Sequence, residues 1–86
     1  MNYEIIKTQA NSEKLTSYSL FTRKVQEDNL TADTYGIIAV DFDSSVTIDD
    51  VATDFYVADA LLNLLTQSAV RVAGVRDCVI DYLSNL

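Results

Sequence analysis

Two periods divide this chain. Up to residue 53 the apolar residues fall in short runs rich in Tyr, Ile, Val, Phe and Thr, types that suit a pleated, half-buried surface. Residues 2–9 (NYEIIKTQ) and 14–26 (KLTSYSLFTRKVQ) read as strands joined by the short polar ANSE, which is compatible with a hairpin. In the second strand Leu15, Phe21 and Val25 share one parity while Tyr18 and Leu20 share the other, so the pattern does not assign its core face. After a polar turn, QEDNLTAD, residues 34–42 (TYGIIAVDF) form the most apolar strand, as expected for a central position. Asp and Ser in DSS favour a turn, and residues 46–51 (VTIDDV) leave room for a fourth short strand.

From Asp54 the period becomes helical. Phe55, Ala58, Leu62, Leu65 and Ala69 form one stripe that Val57, Leu61 and Leu64 widen, which predicts a helix over 54–68. Thr53 or Asp54 can accept hydrogen bonds from its first-turn N–H groups. AVRVA at 69–73 is ambiguous between an extended link and the lead into a second helix, with Gly74 as a candidate joint. Val75, Val79, Tyr82 and Leu83 then predict a second amphipathic helix over 74–84. Strands first and helices second predict an α+β fold: an antiparallel three- to four-stranded β-meander with two amphipathic helices packed on one face of the sheet. The 86 residues fit one domain, 1–86, with a core thin enough that self-association as a homodimer would help.

Charge narrows the partners. The formal net charge is −7, and residues 33–86 account for all of it, with nine Asp against Arg71 and Arg76. An acidic surface repels phosphate backbones, so direct nucleic-acid binding is not expected, whereas a protein partner is. No apolar run is long enough for a membrane span, and the first residues show no basic start followed by an apolar stretch. These features predict a cytoplasmic protein. One cysteine, Cys78, and no histidine exclude an internal disulfide and any Cys–His pair, leaving Cys78 to act as a small core hydrophobe. The five tyrosines are expected at core edges with their hydroxyls at water. With only Gly36 and Gly74, the chain has no glycine-rich phosphate loop and no expected cofactor.

The acidic segment is the one stretch that invites chemistry. GIIAVDFD, an apolar strand ending in Asp41 and Asp43, resembles the first motif of the haloacid-dehalogenase phosphatases, in which one Asp is the nucleophile and the next an acid/base. That chemistry also needs a lysine and further carboxylates around Mg²⁺. No lysine follows Lys24, and Ser44 stands where the motif has glycine. Read as a calcium loop, Asp41, Asp43 and Ser45 occupy positions 1, 3 and 5, but Val46 replaces the glycine and Ala52 the closing glutamate. Weak divalent-cation binding by Asp41, Asp43, Asp49 and Asp50 is the residual metal reading. Asp41, Asp43, Asp49, Asp50 and Asp54 together form a candidate partner surface.

The order YGIIAV, a short acidic turn, IDDVATD, an apolar helix and a terminal GVRDCVIDYL resembles a domain-of-unknown-function family of small clostridial, gut-associated proteins. The resemblance runs from about residue 14 to the end through Tyr35, Gly36, Asp77, Asp81 and Tyr82. It implies an architecture and a bacterial origin, and no site. The sequence thus leads to a non-enzymatic module acting by protein–protein contact. The alternatives are an acidic mimic that regulates a nucleic-acid-binding partner and a metal-assisted phosphohydrolase at Asp41 and Asp43.

Overall fold

A computed structural model describes residues 3–11 and 15–86. Four strands, β1 (Tyr3–Ala10), β2 (Ser17–Glu27), β3 (Leu30–Val40) and β4 (Ser45–Ala52), precede two helices, α1 (Phe55–Gln67) and α2 (Val72–Ser84). The sheet is antiparallel in the order β1-β2-β3-β4, because short connections allow no other pairing between neighbours. The expected α+β architecture is therefore present, with the fourth strand formed and the apolar 34–42 segment contributing to one of the two inner strands. Residues 2 and 14, which the pattern placed in strands, lie outside the described residues.

Several boundaries differ from the pattern, and β2 begins at Ser17 rather than 14, leaving Leu15 and Thr16 outside the sheet. QEDNLTAD is mostly strand: the turn shrinks to Asp28 and Asn29, both at positive φ (50° and 68°). Two-residue turns of that hand match strand twist, and Asp and Asn tolerate the left-handed region. At the other end β3 stops at Val40, so Asp41 and Phe42 leave the sheet, and Phe42 is fully exposed. α2 begins at Val72 rather than 74, which places Gly74 inside the helix.

β2 settles the parity question by using both sides. Tyr18 and Leu20 face the helices and join Ile37, Ala39, Val51, Ala58, Leu61, Leu62, Leu65, Val75 and Val79 in one buried cluster. At about 1.5–3 kcal/mol for each fully buried leucine, Leu61, Leu62 and Leu65 are the main reason α1 stays on the sheet. Polar contacts seal its flank: Gln9 Nε2 donates to Asn63 Oδ1 (3.0 Å), Thr66 Oγ1 donates to Gln9 Oε1 (2.8 Å), and Lys7 pairs with Asp59. Phe21, in contrast, points to the opposite face, yet is only 2% exposed. It pairs with Ile5 and Gly36 across the sheet, and its ring covers Gly36, while Tyr3 closes over it at 5.2 Å between centroids.

Gly36 is fixed by space. A Cβ there would lie 2.3 Å from Phe21 Cζ and 2.6 Å from the Ile48 carbonyl oxygen. Opposite Gly36, β4 inserts a bulge between Ile48 and Ala52, with Asp50 at φ 52°. α1 ends differently: Ala69 adopts φ 50°, its N–H donates to Thr66 O, and Val70 N–H donates to Leu65 O. That is a Schellman cap with alanine where glycine is preferred. Urea unfolding should accordingly rank three chains. Ala69→Gly gains about 1 kcal/mol by relieving the left-handed alanine, and Gly36→Ala loses about 1–3 kcal/mol to the Phe21 clash. The reverse order would contradict both assignments.

Candidate functional site

The five acidic candidates are brought to three different tasks. Asp41 sits just past β3 with a side chain only 7% exposed. Thr16 Oγ1 donates to its Oδ1, and Arg71 Nε and the Val72 backbone N–H both lie 3.4 Å from Oδ2. Arg71 Nη2 is also 3.4 Å from Oδ2. The carboxylate therefore joins the entry to β2, the exit from β3 and the first turn of α2. A negative group is favoured there by the unsatisfied N–H groups of the helix start, and Arg71, the residue at the cap position, makes no side-chain cap of its own. Asp54 caps α1 in the ordinary way, its Oδ1 accepting from Tyr56 N–H at 2.8 Å. Asp49 and Asp50 lie on the β4 bulge, each with an oxygen 3.8 Å from the Arg23 guanidinium. Asp43 is exposed in the turn closed by Asp41 N–H donating to Ser44 O.

This geometry bears on each chemical reading. Both oxygens of Asp41 are engaged. Among the described residues no group of three or more His, Cys, Asp and Glu side chains is placed to hold a metal ion. Thr16, Arg71 and Tyr18 are the residues that sequence reasoning missed. Thr16 is buried beside Asp41, and Tyr18 is fully buried, contrary to a water-facing hydroxyl, with its O–H donating to Val70 O at 2.6 Å. Together they fasten the α1–α2 link to the sheet. Asn11 adds a further tie, its Oδ1 accepting from Leu15 N–H (3.0 Å) while its own N–H donates to Thr16 O. Cys78 is half-buried in α2, and burial, followed by the nearby Asp81 charge, pushes its thiol pKa up, away from the reactive thiolate.

The face of the sheet away from the helices is a more coherent feature. Phe21 forms its floor, Tyr3 and Ile5 stand beside it, and Val40 lies on the same face four residues along β3 from Gly36, each of the three a little under half exposed. Tyr3, Phe21, Ile38, Thr47 and Asp49 line an open depression of about 440 Å³. Small hydroxyl residues surround this centre, and Thr8 and Ser19 bond to each other across β1 and β2 at 2.9 Å. Arg23 brings a positive charge to the described part of this face, and Asp49 and Asp50 each lie 3.8 Å from its guanidinium. No helix among the described residues is long and apolar enough to cross a membrane. No protein-family model, no curated protein and no solved structure matches the chain.

The Asp41 contacts carry a pH signature. The Thr16 hydroxyl, with Arg71 and the Val72 N–H, holds the Asp41 carboxyl below its ordinary pKa despite burial acting the other way. A depressed folded pKa adds stability above the unfolded value of about 3.9, and that stability is lost as pH falls through the folded value. Asp41→Asn should therefore unfold at lower urea than wild type at neutral pH, with the gap narrowing as the pH drops below about 4. A gap that stays constant across that range would remove Asp41 from this role.

Proposed function

We propose that this protein is a non-enzymatic module that acts through protein–protein contact at the open face of its sheet. One observation carries the proposal: an apolar centre, rimmed by small hydroxyls and nearly free of net charge, lies on a chain of net charge −7. Interfaces concentrate aromatic and aliphatic side chains at their centre and deplete charge there. The acidic segment supports contact less directly, since Asp41 and Asp54 are occupied at the starts of the two helices. The same reading takes the partner to be a protein rather than nucleic acid or membrane. It keeps the proposed resemblance to small clostridial proteins of unknown function, which adds a bacterial origin and no site, and a cytoplasmic setting taken from the sequence pattern.

A photo-reactive benzoylphenylalanine in place of Val40, at the open face, should form covalent adducts with protein in cells producing the full chain. The same group in place of Tyr56, exposed at the start of α1, should form few. Adducts from Tyr56 and none from Val40 would place the contact elsewhere and end the proposal.

A further inference from the structure

We infer that the occupant of the open face is a second copy of this chain, seated sheet against sheet about a two-fold axis. The inference rests on the proposal that this face makes a protein contact, and it names the partner.

Charge favours like against like. Two copies of a chain carrying −7 repel over most approaches, because most of the acid lies off this face: Asp41, Asp43 and Asp54 in the turns, Asp59 on the helix side, and Asp77 and Asp81 on α2. The open face is the approach on which that repulsion is least. A basic partner would instead be drawn to the acidic turns and α2. What charge the face does hold is self-complementary. Arg23 keeps Asp49 and Asp50 at 3.8 Å, beyond hydrogen-bond length, and all three side chains are partly exposed. In a two-fold contact, residue i meets j of the other copy while j meets i. Arg23 of each copy, its side chain 30% exposed, can then reach Asp49 of the other with the accessible part of its guanidinium.

Size and shape agree. Strands of 8 to 11 residues in four rows make a face that spans roughly 19 by 30 Å at ordinary strand rise and spacing. Two such faces in contact bury on the order of 1,200 Å² in total, the lower bound for a stable, specific interface. The sheet's opposite side already carries its helices, so pairing gives a helix–sheet–sheet–helix stack. Its inner layers would pack about 10 Å apart, as sheets do in sandwiches. Phe21 is sunk over Gly36, so the partner meets Tyr3, Ile5, Ile38 and Val40 rather than the Phe21 ring.

Sedimentation equilibrium from about 1 to 100 μM chain tests this, with circular dichroism to show that each variant is folded. Wild type should approach twice the chain mass within that range. Ile5→Glu and Val40→Glu, both at partly exposed positions, should weaken association at least about tenfold, whereas Ile80→Glu on α2 should not. Arg23→Asp and Asp49→Arg chains should each associate poorly alone and recover when mixed, because the mixed pair opposes unlike charges at both crossings. A wild type that stays monomeric throughout overturns the inference, as does association that Ile5→Glu and Val40→Glu leave intact, or poor association of the mixed charge variants. A monomeric chain whose Val40 position still cross-links to other proteins would overturn the second copy alone. A monomer with no such adducts would overturn the protein contact as well.

Discussion

A four-stranded sheet has two faces, and here two 13-residue helices stand on one of them. Much of the molecule's arrangement follows from that one-sided coverage. The helix side holds the principal core, from Tyr18 and Leu20 through Ile37 to Leu61, Leu62 and Leu65. The other side must shelter its own aromatic ring, and does so by local means: a glycine beneath Phe21, a tyrosine over it and a β4 bulge beside it. These features leave a face whose centre is apolar and whose Phe21 ring is sheltered from water.

The helices are held in place by contacts that span the chain. Asp41 takes a hydroxyl from Thr16, 25 residues before it, and meets Arg71, 30 residues after it. Tyr18 reaches 52 residues ahead to Val70. Because both ties end on the link between α1 and α2, the direction in which α2 leaves that link is set by the sheet. An acidic residue that looks like a nucleophile in the linear sequence is, in three dimensions, the support for a helix start.

The sequence reveals the architecture wherever burial leaves a period. The change from strand to helical spacing at Asp54 marks the fold class, and Asp54 itself is the cap. The pattern is silent where burial is absent. Residues 26–33 look like a loop because the β2–β3 hairpin runs beyond the helices there, with Leu30 74% exposed, so no alternation records its strands. The mixed parity of β2 is a different case. Its two apolar sets serve two faces, Tyr18 and Leu20 toward the helices and Phe21 away from them. What looked like an imperfect strand signal is the trace of a strand used on both sides. The Asp41 node has no such trace, since its partners Thr16 and Arg71 are far away in sequence and of ordinary type.

If the uncovered face is where two copies of this chain meet, the contact is visible in solution. Isotope-filtered NMR on an equal mixture of labelled and unlabelled full-length chain tests it at the level of single methyl groups. Intermolecular NOEs are expected from the methyls of Ile5, Ile38 and Val40, on the open face, and none from Leu64 or Ile80 on the helices. Intermolecular NOEs confined to Leu64 and Ile80, or none from any methyl at millimolar chain, would contradict it.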